Sequence, residues 1–323
     1  MLPTTRIVML GTGDFALPTF EHLCDEGAQV VALVTQPDRP QGRKQELIPS
    51  PIKLAAIERG IPVEQPENVN APEALDRIRA LTPDLLVTAA YGQILSPELL
   101  SLSPLGGMNL HGSILPAYRG AAPVARAIEN GERETGVTVI RMTPRIDAGG
   151  MMAFARTEID PDETAGELED RLARLGAPLV ARAITDLVAG RARILTQEKS
   201  KVTKAPKLRK EDGEIDWSAS GLAVHNRVRA MQPWPTASTF WRRRDSPAEV
   251  PSVRLIVHET APVEGEGRAG EVLEAYADRL IVAAGSGAVR LLTVQVPGKK
   301  PAAVDEFLRG YHVLPGDRMG LRE

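Results

Sequence analysis

The sequence predicts an α/β protein in which a mostly parallel sheet flanked by helices is followed by a small β-barrel domain. Three observations carry this expectation. The length, 323 residues, suits two domains of about 100 to 200 residues each. From Arg6 to about Thr203, short β-branched apolar runs alternate with longer stretches of helical periodicity, the pattern of βαβ units. After residue 200 the runs become short and alternating, with Gly and Pro between them, as in small all-β domains.

In order, the strands of the first part are expected at 7–10, 30–35, 61–64, 85–89, 108–111, 137–142 and 152–157. The helices between them are expected at 17–26, 52–59, 72–81, 97–102 and 121–130, several opened by Pro or closed by Gly. With a largely parallel sheet carrying helices on both faces, ligands are expected beyond the carboxyl ends of its strands. A helix over 165–189 closes the unit, with Leu168, Leu172, Leu175, Leu179 and Ala183 as its core stripe. The domain limits read as 1–200, a basic linker at 201–212, and a barrel at 213–323. In the last, strands are expected at 253–257, 271–273, 280–283 and 289–296.

The net charge of −3 advertises no polyanion partner. Divided at residue 200 it changes meaning: the first part holds 20 basic and 26 acidic residues, the second 19 and 16, giving −6 and +3. One cysteine, Cys24, rules out an internal disulfide framework and any multi-cysteine zinc site. The apolar run of 7–10 is cut by Gly11, Gly13 and Asp14, and no later run approaches the ~18 residues a membrane span needs. A cytoplasmic protein with no membrane partner is the expectation.

Two stretches bear on chemistry. Gly11-Thr12-Gly13-Asp14-Phe15-Ala16 lies between a strand and a helix, like the opening of a dinucleotide fingerprint. The second strand, however, runs into Thr35-Gln36-Pro37-Asp38 with no acid placed for a ribose, so a tight turn is favoured and NAD is not expected. In Met108-Asn109-Leu110-His111-Gly112, Asn109 and His111 are two apart on a strand and share one face. An amide donor beside a proton-exchanging imidazole suits attack on an amide-like carbonyl; a hydrogen-bonded core His with a turn-capping Asn is the competing explanation. Asp147 ends the next strand, and a parallel neighbour would bring its carboxylate to the same rim, where it would favour the imidazolium.

Asn109, the run His111-Gly112-Ser113-Ile114-Leu115-Pro116 with Arg119-Gly120, and Asp147 resemble the signature of the 10-formyltetrahydrofolate-dependent formyltransferases. The resemblance spans nearly the whole chain and is closest to the tRNA-directed branch. The further matches include Pro37-Asp38-Arg39-Pro40, Ala90-Tyr91-Gly92-Gln93-Ile94-Leu95, Met231-Gln232-Pro233-Trp234-Pro235 and Gly298-Lys299-Lys300-Pro301. It implies a Rossmann-like catalytic domain, an OB-like barrel, and formyl transfer from 10-formyltetrahydrofolate to the amino group of initiator methionyl-tRNA, with no metal. It places Asn109, His111 and Asp147 in catalysis and Ser113, Ile114, Leu115, Pro116, Tyr91, Gly92 and Ile94 at the folate. Alternatives that keep the trio are a small amine as acceptor, and a folate-binding or formyl-hydrolysing protein.

For RNA, the resemblance points to the long 36–50 loop with Arg39, Arg43 and Lys44, although Gln45 and Glu46 make it less basic than the pattern. The lysine-rich stretch adds Lys204, Lys207, Arg209 and Lys210, with Arg227, Arg229, Arg242 to Arg244, Lys299 and Lys300 beyond it. Summed phosphate contacts on such an edge supply affinity that the net charge conceals. The 12 aromatic residues form no base-stacking cluster, and Trp217 and Trp234 are expected as packing anchors of the second domain. A monomer is expected.

Overall fold

The computed structural model describes residues 4–41, 46–247 and 251–320. The chain divides into two compact units: 1–123 with 134–158 and 168–206, and 124–133 with 159–167 and 207–323.

In the first unit the chain order is β1 (Arg6–Gly11), α1 (Leu17–Asp25), β2 (Gln29–Val34), β3 (Pro40–Gln41), β4 (Glu46–Leu47), α2 (Pro51–Glu58), β5 (Val63–Glu64), α3 (Pro72–Ala80), β6 (Leu85–Ala89), α4 (Pro97–Ser101), β7 (Gly107–His111) and β8 (Arg119–Gly120). Then follow α5 (Pro123–Glu129), which passes into the second unit, β9 (Glu134–Arg141), β10 (Met151–Glu158), α6 (Ala165–Val188) and β11 (Lys204–Ala205). The sheet order is β10-β9-β7-β6-β1-β2-β5. Strands β5, β2, β1, β6 and β7 are parallel, whereas β9 and β10 are antiparallel to their neighbours. Every residue of β6 is buried, which explains why it reads as an apolar run with one hydroxyl, Thr88. Prolines open α2, α3 and α4, where a missing N–H costs no helical bond, and Ser96 caps α4 by accepting from Leu99 N. Val8, Leu10, Val34, Leu75, Ile78, Leu86 and Leu99 form a core on one face of the sheet.

Two expectations change here. The buried stripe of α6 runs through Leu168, Leu172, Val180 and Ile184, with Gly176 against Leu110, while Leu175 and Leu179 are half-buried. Ala173, Ala177, Ala181 and the expected Ala183 are buried beside this stripe, and Gly176 lets the helix approach β7 at Leu110. The segment after residue 200 is also more than an exposed connector. Lys204–Ala205 pairs in parallel with Arg119–Gly120, and Ala205 is fully buried. Gly120 permits this: at φ +129° it occupies a backbone region that L side chains rarely adopt, and a Cβ there would lie 2.4 Å from Ala205 O.

The second unit contains α7 (Gly221–Ala230), β12 (Ala237–Arg242), β13 (Val253–Val263), β14 (Val272–Tyr276), β15 (Arg279–Ala283), β16 (Ala288–Gln295), β17 (Ala302–Ala303), α8 (Val304–Gly310) and β18 (Arg318–Gly320). Its antiparallel sheet runs β14-β15-β16-β13-β12-β18. The bridge between Glu271 and Arg318, with Val272 N donating to Asp317 O at 2.9 Å, draws its two edges into a nearly closed barrel. Trp217 and Trp241 fill its core with their indole N–H groups satisfied by Thr239 and Asp317. Trp234 departs from expectation: it is 50% exposed, whereas Trp217 is 4% exposed.

Arg229 also leaves the basic surface set. It is 7% exposed, with its guanidinium donating to Asn226 Oδ1 and to the carbonyls of Asp160 and Glu163. A charge buried this way is spent on holding a turn. Arg227 is occupied by Glu129 at 3.1 Å.

Candidate active site

The first unit places the ends of β1, β6 and β7 side by side, because Ile7 to Gly11 pair with Leu85 to Ala89 and Leu86 to Ala89 with Gly107 to Leu110. The chain runs outward from β1 through β2 to β5 and then crosses back to β6 on the other side of β1, so the carboxyl edge between β1 and β6 is the switch point at which α/β sheets bind ligands.

Asn109 and His111 share a face of β7 as their spacing requires, Asn109 half-buried and His111 5% exposed. The imidazole Nε2 lies 2.9 Å from Tyr118 O, to which it donates, and Nδ1 lies 3.6 Å from Asp147 Oδ2. The Asp147 carboxylate is 13% exposed and also accepts from Gly120 N at 2.9 Å.

Asp147 reaches His111 by a route that differs from the expected parallel neighbour. Strand β9 is antiparallel to β7, pairing Arg141 with Met108 and Thr138 with His111, so it finishes beside the start of β7. The 142–150 segment must therefore fold back toward His111. The trio is assembled by this turn, which strand periodicity does not encode.

Thr88, which the sequence did not single out, contacts Asn109 directly. It is the cross-strand partner of Asn109, and its hydroxyl donates to Asn109 Oδ1 at 2.7 Å. With the amide oxygen occupied, the amide N–H groups are left to address a substrate oxygen. The available signal was a single hydroxyl in the otherwise apolar strand Leu85–Ala89. Thr88→Val is expected to lower turnover about 3- to 10-fold through loss of one orienting hydrogen bond, with KM unchanged and Thr88→Ser retaining most activity. Steady-state kinetics of the two variants checks this, and equal rates in both would remove the hydroxyl from the argument.

The relation of this geometry to known proteins follows from two family matches. Residues 5–184 match the family model described as formyl transferase, and residues 207–312 match the formyl transferase C-terminal domain. The chain belongs to the formyl transferase family. Among relatives of this formyl transferase, the methionyl-tRNA formyltransferase of Citrifermentans bemidjiense is 42% identical over 318 residues, covering 98% of this chain and 97% of its own. That of Moorella thermoacetica is 41% identical over 315 residues, covering 98% and 99%. Among solved structures, the N-formyltransferase of Helicobacter canadensis with folinic acid and dTDP-3-aminofucose has a TM-score of 0.63 at 15% identity, covering 89% of this chain and 99% of that one. HypX of Aquifex aeolicus with tetrahydrofolic acid has a TM-score of 0.62 at 17% identity, covering 95% and 47%. At such identities these two structures speak for the fold alone.

The segments that the resemblance placed at the folate begin on adjacent strand ends of this formyl transferase. After β6, Gly92 is exposed at φ +86° and Ile94 is 61% exposed, while Tyr91 is 4% exposed. Burial pushes the Tyr91 phenol well above its ordinary range, and its hydroxyl has no hydrogen-bond partner among the described residues. After β7, Ser113 is fully buried and donates to Ala117 O at 2.7 Å. Its carbonyl accepts from Thr138, whose hydroxyl oxygen in turn accepts from Leu115 N. Ser113 thus shapes the turn from within, and Leu115 is 3% exposed while Ile114 and Pro116 are half-buried.

Of the residues assigned to RNA, Arg43 and Lys44 lie outside the described residues. Arg39 is exposed and pairs with exposed Glu67 at 2.6 Å, a contact worth at most about 1 kcal/mol and readily exchanged. Its neighbour Asp38 turns inward: hydrogen bonding from Lys53 holds the Asp38 carboxyl below the usual carboxylate range, and Gln65 joins the two. Lys204, Lys207, Arg209 and Lys210 are exposed, and among the described residues none of them has an ion-pair partner. A separate cavity of about 250 Å³ lies between β10 and α6, lined by Phe154, Leu179, Arg182, Asp186 and Arg193, and none of the trio borders it. Among the described residues, no helix is long and apolar enough to cross a membrane.

Proposed function

We propose that this formyl transferase moves the formyl group of 10-formyltetrahydrofolate to the α-amino group of methionine carried by initiator tRNA. The supporting observation is relatedness at 42% identity to methionyl-tRNA formyltransferases that extends through both units, the barrel included. A small-amine acceptor gives no account of the unpaired cations from Lys204 to Lys210.

Asn109, His111 and Asp147 divide the chemistry. As the amine nitrogen bonds to the formyl carbon, negative charge gathers on the formyl oxygen. The Asn109 amide, oriented by Thr88, and the protonated His111 ring stabilise it. Asp147 holds the imidazolium and receives the proton that the amine sheds, directly or through water, for delivery to N10 as the C–N10 bond breaks. Gly92 and Ile94 offer exposed backbone and an apolar edge for the folate ring system, beside the half-buried Ile114 and Pro116.

Incubation with 10-formyltetrahydrofolate and methionyl-initiator tRNA is expected to give formylmethionyl-tRNA. Absence of product at enzyme stoichiometric with tRNA, together with formylation of a dTDP-amino sugar, would move the proposal to the small-amine class.

A further inference from the structure

The structure assigns to Gln197 the task of holding Asp147 in position, which makes it a positioning residue for the reaction; the assignment rests on the catalytic role proposed for Asp147. Asp147 is a non-glycine residue at φ +47°, a left-handed conformation that L side chains seldom adopt and that persists where the surroundings enforce it. Gln197 supplies part of that enforcement. Its Nε2 donates to Asp147 O at 2.8 Å and to Gly149 O at 2.7 Å. Its Oε1 accepts Nε and Nη2 of Arg119 at 3.0 and 2.7 Å.

The amide is 6% exposed and has both of its N–H groups and its oxygen in use. Its orientation is also determined. A guanidinium can only donate and carbonyls can only accept, so a flipped amide would oppose donors to donors and acceptors to acceptors. Gln197 is itself held by its neighbours, because Leu195 and Met151 exchange two backbone hydrogen bonds of 2.9 and 2.8 Å just upstream. Arg119 is fixed in turn through its backbone N–H, which donates to Thr203 O at 2.9 Å.

The far end of the Asp147 turn is anchored independently. A Cβ on Gly149 would lie 1.6 Å from Arg141 O, and Gly150 O accepts Arg141 N. The turn is therefore tied down after Asp147 by β9, while at Asp147 itself Gln197 holds the main chain and Gly120 N holds the carboxylate. Loss of the Gln197 bonds frees the backbone to leave the left-handed region and carries Oδ2 away from His111. Displacements of about 1 Å at a reacting group cost up to about 100-fold in rate.

The test is formyl transfer from 10-formyltetrahydrofolate to methionyl-initiator tRNA by the full chain. Gln197→Met keeps the length and removes every hydrogen bond. Gln197→Glu keeps the shape and the Arg119 contact but cannot donate to the two carbonyls. Both are expected to lose about 10- to 100-fold in kcat with KM for each substrate within about twofold, since the bonds lost serve orientation. Added to Asp147→Asn, Gln197→Met is expected to cost nothing further, because its effect passes through the carboxylate. Wild-type kcat in Gln197→Glu, or the same fractional loss on the Asp147→Asn background, would overturn the assignment. Wild-type turnover by Asp147→Asn alone would instead sink the catalytic reading of Asp147.

Discussion

His111→Ala is expected to lower the turnover number for formyl transfer by about 10²- to 10⁴-fold, the usual contribution of a positioned acid–base group. The imidazole is almost fully enclosed, between Tyr118 O on one nitrogen and the Asp147 carboxylate on the other. Its cross-strand partner, Thr138, offers no substitute, because that hydroxyl is committed to Ser113 O. Affinity for folate and tRNA is expected to change only severalfold, as uniform binding is carried by surfaces outside the trio. Single-turnover kinetics at saturating substrate measures the chemical step directly, and circular dichroism checks the fold. A variant with wild-type single-turnover rate would return His111 to a purely structural role. Residual activity is expected from Asn109, because the oxyanion contact proposed for its amide does not pass through His111.

The second large effect concerns RNA. Changing Lys207, Arg209 and Lys210 together to Glu is expected to weaken tRNA binding by about 10² to 10³ at 0.1 M salt. Each lost phosphate contact contributes roughly an eightfold factor at that salt, from counterion release with a slope near 0.9 per contact. The slope of log K against log salt should fall in magnitude by about 2 to 3 over the same substitutions. Folate binding and the turnover number at saturating tRNA are expected to persist, since none of these residues lies among the trio or the turns around it. The three side chains are exposed, so fold stability should be little affected. Filter binding across a salt series provides the measurement. Equal affinity and equal slope before and after would make this stretch a bystander.

Much of the first unit could be read from the chain because its central strands are buried on both faces. β1 from Ile7 onward, and β6 apart from Thr88, appear as apolar runs for that reason. Asn109 and His111 were legible for an equally local reason, since alternation in a strand fixes their common face. What the sequence conceals is direction and return. The run that forms β9 is the same whether the strand is parallel or antiparallel, so the fold-back of Asp147 had no local signature. Gln197 sits in a polar stretch without periodicity, where nothing distinguishes a buried amide from a solvated one. Arg229 and Trp234 mislead in opposite senses. Arg229 is buried because Asn226, one helical turn earlier, and two carbonyls satisfy it, whereas Trp234 stands out from a proline-bounded turn.

The pairing of Lys204–Ala205 with Arg119–Gly120 bears on where this protein can be cut. A fragment ending at residue 200 would retain the whole seven-stranded sheet, yet it would strip Tyr118 N and Arg119 N of their acceptors on Thr203. The carbonyl of Tyr118 is the one that His111 contacts, so the injury would fall next to the trio. A fragment carried through Pro206 keeps that stitch. For anyone dissecting the molecule, the last few residues before the second unit belong with the first, as a clasp on its reactive edge.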